Sequence, residues 1–210
     1  MSAAPSPRDV TGIVLAGGRS TRFGADKLAV EIDGQSVLDH AIDAVASIAG
    51  EVIVVGAAQA GRDVRTLDDP EPFGGPLQAL AGGLAAATAD RALVVAGDMP
   101  TLVPDVLRLL VDELQREAEA DAVVLADPRD PARRQPLPLA VRVAPARTAA
   151  AAALEAGDRS LVRLLGRLRV VEIPVERWLP LDPDARTLVD IDLPADLRRV
   201  RDVASDQRNH

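Results

Sequence analysis

Short β-branched runs alternate with stretches whose apolar residues recur at helical spacing, and this alternation leaves the chain few folds to choose from. The runs are "TGIVLA" at 11–16, "EVIVVG" at 51–56, "ALVVAG" at 92–97 and "DAVVLA" at 121–126. Between them the spacing predicts helices from about Ser36 to Ile48, after Pro76 and after Pro104. Strand, helix, strand repetition of this kind predicts an α/β fold: a mostly parallel sheet covered by helices on both faces. Farther along, "DPRDPARRQP" (127–136) reads as a long loop and "LPLAVRV" (137–143) as a strand. The alanine-rich stretch from Pro145 to Ala156 reads as a helix that Gly157 stops.

At 210 residues and 48% hydrophobic composition the chain can bury one sizeable core, so residues 11–200 are expected to form a single domain between flexible ends at 1–10 and 201–210. Aromatic residues make up only 1%, so the core must be built from Ala, Val, Leu and Ile, which favours thin helices lying close to the sheet. Twenty-four basic against 32 acidic residues give a net charge of -8, which disfavours a nucleic-acid partner. The start, "MSAAPSPRDV", lacks an apolar signal region, and no uncharged apolar run is long enough to span a bilayer. A cytoplasmic protein without a membrane partner is the expectation.

The inventory narrows the chemistry further. Cysteine and tyrosine are absent and the histidines are His40 and His210, so thiol nucleophiles, disulfides and most general bases are excluded. His40 sits in a helical pattern and reads as a structural residue. A metal-assisted reaction whose nucleophile is already ionised fits what remains.

In open α/β sheets, ligands bind where the parallel strands end. The first strand runs into "LAGGRSTRFGADK" (15–27), which carries three glycines, two arginines and a lysine. Glycine amides and fixed positive charge suit a polyanion. Lys27 follows Asp26 and precedes Leu28, so the P-loop pattern fails, and G-x-G-x-x-G is absent. What remains is a wider loop able to wrap a triphosphate, with amides from Gly17 and Gly18 and charge from Arg22 and Lys27. Asp98 follows another strand, in "VVAGDMP", as a Mg²⁺ ligand or a helix cap. Asp190 and Asp192, in "TLVDIDLPADL", pose the same choice.

Taken in order, "LAGGRSTRFGADK", "GGPLQALAGGL", "VVAGDMP", "RQPLPLAV", "GDRSLVRLL" and "DIDLPADL" resemble the molybdenum cofactor guanylyltransferase family of nucleotidyltransferases over about residues 11–200. The resemblance implies a three-layer, Rossmann-like fold of the nucleotide-diphospho-sugar transferase type. It implies transfer of GMP from GTP to the phosphate of molybdopterin, with Mg²⁺ as cofactor and pyrophosphate released. Lys27, Arg22 and Asp98 would be the catalytic residues, and Asp98 and Asp192 would hold the metal. Leu15, Ala16, Gly17, Gly18 and Lys27 would line the nucleotide, with Gly24 in the same loop. Asp68 would lie near the base, beside the turn at Gly75 and Pro76. Arg133 and Arg134 stand where an anionic pterin could be met.

Three departures from the family pattern bear on these roles. Phe23 replaces Met, "DLPAD" replaces "NTPED", and no Asn follows the second strand in "VVGAAQ". The last keeps a cytidylyltransferase using CTP open as an alternative. A non-catalytic nucleotide-binding module, working with partner proteins in cofactor delivery, is another.

Overall fold

In the computed structural model, residues 9–17, 27–57, 62–68, 74–130, 134–191 and 196 are described. Most of both expected flexible ends lies outside these residues.

Strand β1 (Val10–Leu15) shows why the chain builds three layers. Successive side chains of a strand point to opposite faces. Val10 and Val14 enter one apolar core, while Ile13 and Leu15 enter the other. The same division holds in β4 (Glu51–Val55), where Val52 and Val54 face one core and Ile53 and Val55 the second. A strand buried on both faces must be apolar throughout, hence the uninterrupted runs in the sequence.

Between β1 and β4 lie a two-residue hairpin, β2 (Glu31–Ile32) and β3 (Gln35–Ser36), and helix α1 (Val37–Ala46). Then follow β5 (Arg65–Leu67), α2 (Pro76–Ala86), β6 (Arg91–Ala96), α3 (Pro104–Arg116), β7 (Ala122–Ala126), β8 (Arg134–Arg142) and α4 (Val143–Glu155). Helix α5 (Leu161–Leu165), β9 (Val170–Ile173) and α6 (Val175–Trp178) complete the numbered elements. The sheet runs β5-β4-β1-β6-β8-β7-β9. Among the described residues of this sheet, β8 runs antiparallel to both neighbours, whereas β5, β4, β1 and β6 pair in parallel, as do β7 and β9. Helices α1, α3 and α6 cover one face and α2, α4 and α5 the other. This is the expected mostly parallel α/β architecture.

Small side chains bring the layers together. A Cβ on Gly12 would stand 2.2 Å from Val45 Cγ1 of α1, so the absence of a side chain sets how closely that helix lies. Leu110 of α3 is wholly buried against the same face, and truncating it to Ala would cost about 2–5 kcal/mol. The single tryptophan, Trp178, is also fully buried and donates its indole N–H to the Ala126 carbonyl at 3.2 Å.

Two expectations need correction. The strand placed at 137–143 begins at Arg134, so the end of the loop expected at 127–136 is strand instead. Ala126 of β7 pairs with Arg134, and this partner extends the strand through residues too polar to read as one. At the other end Val143 opens α4, its N–H bonded to the Asp90 carbonyl at 2.8 Å. Gly157 does stop α4, at φ 80°, with the Asp158 N–H reaching back to Ala153. Among the described residues no helix is long and apolar enough to cross a membrane.

Candidate active site

The parallel strands β4, β1 and β6 end level with one another. Leu15 stands opposite Val55 on one side and Ala96 on the other. Beyond the ladder, the Ala16 N–H donates to the Val55 carbonyl at 2.8 Å and the Gly97 N–H to the Leu15 carbonyl at 2.9 Å. Gly56 has φ 97°, and a Cβ there would lie 2.6 Å from both the N and Cα of Gly17. Two glycine backbones therefore meet where side chains would not fit. Leu15 and Ala16 are buried, each in one of the two cores, so their side chains are committed to packing. Whatever this segment offers a ligand comes from its backbone and from Gly17, which is exposed.

The residue after Gly97 is Asp98. Its Oδ2 accepts from Lys27 Nζ at 2.6 Å, joining residues 71 positions apart. Its Oδ1 is buried and has no hydrogen-bond partner among the described residues. A buried, unmatched carboxylate oxygen is costly, about 1–3 kcal/mol or more for a charged group, and needs an explanation. Helix capping does not supply it. The N-cap of α3 is Val103, five residues later, and the helix begins at Pro104. An oxygen so placed fits a hard cation, because Mg²⁺ takes one or two protein carboxylates and fills its remaining positions with water and phosphate oxygens.

The chain at Asp190 and Ile191 comes to the same turn. Ile191 donates its N–H to the Asp98 carbonyl at 3.0 Å. Thr101 Oγ1 donates to the Arg186 carbonyl at 2.8 Å, and the Val103 N–H donates to Thr187 Oγ1 at 3.2 Å. Asp190 is exposed. Asp192 lies outside the described residues, as do Gly18, Arg22, Gly24 and Arg133. One contributor escaped the sequence reading. Asp182 is wholly buried and organises the stretch before Thr187, but "LDPDART" carries no signal that would separate it from an ordinary loop aspartate.

The other candidates stand farther along the same edge. Gly75 is the N-cap of α2 and Pro76 its first residue. This start rests on Arg159, whose carbonyl accepts from the Leu77 N–H at 3.4 Å. Asp68 is exposed and follows β5, the strand at one margin of the sheet. Arg134 is exposed at the start of β8, with its Nε 3.9 Å from Glu172 Oε2 on β9. It is therefore tied to the opposite margin rather than to Asp98. His40 pairs its Nε2 with the Ile32 carbonyl at 2.9 Å, a structural role.

The family model for the MobA-like NTP transferase domain matches residues 12–171 of this chain. A protein of Chloroflexus aggregans named "Probable molybdenum cofactor guanylyltransferase" is 35% identical over 201 residues, 91% of this chain and 93% of that one. The "Molybdenum cofactor guanylyltransferase" of Burkholderia ambifaria is 33% identical over 184 residues, covering 82% and 89%. Among solved structures, molybdopterin-guanine dinucleotide biosynthesis protein A from Archaeoglobus fulgidus superposes with a TM-score of 0.78 at 23% identity, over 93% of this chain and 99% of that one. The 2-C-methyl-D-erythritol 4-phosphate cytidylyltransferase of Thermus thermophilus shares the fold at a TM-score of 0.67 and 20% identity, over 92% and 98%. With its parallel strands ending at a paired lysine and aspartate, and with likeness to these relatives over nearly its whole length, the chain belongs to the MobA-like NTP transferase domain family and is a nucleotidyltransferase.

Proposed function

We propose that the protein is a Mg²⁺-dependent guanylyltransferase that moves GMP from GTP to the terminal phosphate of molybdopterin and releases pyrophosphate. The observation that carries this reading is Asp98: a carboxylate at the end of a parallel strand, with one oxygen on Lys27 and the other buried without a partner among the described residues. The names of the relatives, molybdenum cofactor guanylyltransferases, support the choice of base and acceptor. The reaction is placed in the cytoplasm.

On this reading Asp98 and Asp192 hold Mg²⁺. The ion, when bound, neutralises phosphate charge and sharpens the electrophilic character of the α-phosphorus. The chain itself does the rest by binding and orientation. Backbone groups around Gly17 and Gly18 lie against the triphosphate, and Lys27 and Arg22 set positive charge beside it. Asp68, Gly75 and Pro76 bound the base, and Arg133 meets the anionic acceptor, while Arg134 is held by Glu172 at the opposite margin. An oxygen of the acceptor phosphate forms the new bond to the α-phosphorus as the bond to the bridging oxygen of pyrophosphate breaks. The attacking oxygen is already an anion near neutral pH, so the site needs no general base. A chain without cysteine or tyrosine can therefore catalyse the transfer by position and charge.

The test is to incubate the protein with Mg²⁺, molybdopterin and each of the four nucleoside triphosphates in turn, following pyrophosphate. Release with GTP and the acceptor together is the expected result. Release with CTP instead would overturn the choice of base, and no release with any pair would overturn the acceptor.

A further inference from the structure

The wholly buried Asp182 lies outside the machinery described so far, and a buried carboxylate is expensive unless its neighbours need it. Its Oδ2 accepts the Thr187 N–H at 2.7 Å, and its Oδ1 stands 3.4 Å from Arg186 Nε. Its carbonyl accepts the Ala185 N–H at 2.9 Å. Ala185 is held at φ 52°, ψ 38°, a left-handed conformation that an L residue adopts only where its surroundings insist. A charge and a strained residue are thus both spent on fixing one bend. The products of that bend are the Arg186 carbonyl, the Thr187 hydroxyl and the Ile191 N–H. All three land on the turn that begins at Asp98, through Thr101, Val103 and Asp98 itself.

We infer that Asp182 is a positioning residue for the metal site: by fixing the bend at 182–187 it docks the segment that ends at Asp190 and Ile191 onto the backbone of Asp98. The inference rests on the reading that Asp98 and Asp192 hold the ion. A bend serving stability alone could be filled by apolar residues. One that must set the distance between two distant carboxylates needs a directional, charged tie.

The experiment uses the full chain and reads three quantities: hydrogen exchange at the Ile191 amide, binding of Mn²⁺ alone by electron paramagnetic resonance, and kcat against KM for GTP. Asp182→Ala is expected to remove protection at Ile191 and weaken Mn²⁺ binding about tenfold or more, as loss of a residue that orients metal ligands does. It should lower kcat while leaving the KM for GTP unchanged. Asp182→Asn keeps an acceptor for the Thr187 N–H and should recover most of the Mn²⁺ affinity. If Asp182→Ala does not fold, Thr187→Val, which deletes only the bond to Val103, should show the same changes in smaller measure. Wild-type Mn²⁺ affinity in the variant that folds would overturn the inference, whether or not Ile191 loses protection. So would a wild-type chain that takes up no Mn²⁺. A wild-type chain that binds Mn²⁺ but transfers no GMP would instead overturn the guanylyl reading, leaving exchange and Mn²⁺ binding to decide the role of Asp182.

Discussion

Glu51 and Asp121 stand at the edge where the parallel strands begin, and Asp98 stands at the edge where they end. At the first edge Glu51 Oε1 receives the Thr11 hydroxyl at 2.6 Å and the Thr88 N–H at 2.9 Å. Asp121 takes the Arg169 side chain on both oxygens, at 2.9 and 3.0 Å. Arg142, at the end of antiparallel β8 and so at this same edge, donates to the carbonyls of Leu114 and Ala120. Acidities follow from these contacts. The Arg169 guanidinium holds Asp121 below the usual carboxylate range. Burial pushes Glu51 up, but the bonds from Thr11 and Thr88 outweigh it and leave this group lowered too. Asp98 has no such completion, since one of its oxygens is buried without a donor among the described residues. One edge spends its polar groups on holding the layers together, whereas at the other a buried carboxylate oxygen of Asp98 finds no donor among the described residues.

If that division is correct, activity and stability separate by edge. The largest effect is expected from Asp98→Asn, which removes the charge proposed to hold the metal and leaves the shape. Pyrophosphate release should fall about a hundred- to a thousandfold, equivalent to about 3–4 kcal/mol of transition-state stabilisation. Because one oxygen of the native carboxylate is buried without a partner among the described residues, the melting temperature should hold or rise. A clear loss of melting temperature would turn Asp98 into a structural residue and break the comparison. Lys27→Ala comes next. Loss of a single positive charge from the proposed phosphate site should lower kcat/KM about tenfold to a hundredfold, measured by initial rates with GTP.

The sequence already showed much of this division at the ligand edge. Uninterrupted apolar runs announced β1, β4, β6 and β7, because a strand covered on both faces has no polar side to show. Pro76 and Pro104 marked the starts of α2 and α3 as first helical residues. Lys27 and Asp98 stood out because charge and glycine at the ends of such strands have no packing role. Elements held by partners rather than by pattern went unread. Strand β5 is three residues with none fully buried, β9 carries Glu172 at its centre, and the first half of β8 owes its form to β7. The β2–β3 hairpin did leave a signal, Asp33-Gly34, whose positive φ values of 53° and 82° make the turn. Asp182 left none, because its partner is the Thr187 N–H and the stretch they form is held by the Val103 N–H, 84 residues before Thr187.

A third substitution sharpens the contrast from the structural side. Glu113 on α3 is buried and bound on both oxygens by Arg177, at 2.6 and 2.8 Å, with Arg116 adding a further contact. Glu113→Gln should destabilise the fold by about 1–2 kcal/mol by chemical denaturation, a figure reduced because the arginine face is open to solvent. Turnover per folded molecule should be unchanged. Equal losses of activity and stability would show that the two regions are not independent.

The smallest effect is on the dependence of stability on pH. The hydrogen bonds and charge of Arg177, helped by Arg116, hold Glu113 below the ordinary glutamate value in the folded chain. In the unfolded chain it returns to about 4.3. A depressed folded value means that the unfolded state binds the proton more readily, so the tie contributes its full stability above the unfolded value. The contribution then fades as pH falls from there through the folded value. Wild-type protein should therefore exceed Glu113→Gln in unfolding free energy by a constant margin from pH 8 to about pH 5, and the two curves should converge in more acid solution. Asp121, lowered by Arg169, behaves in the same sense and is present in both proteins, so it cancels from the difference. A margin that persisted unchanged in strongly acid solution would show that Glu113 acts through shape and not through its charge.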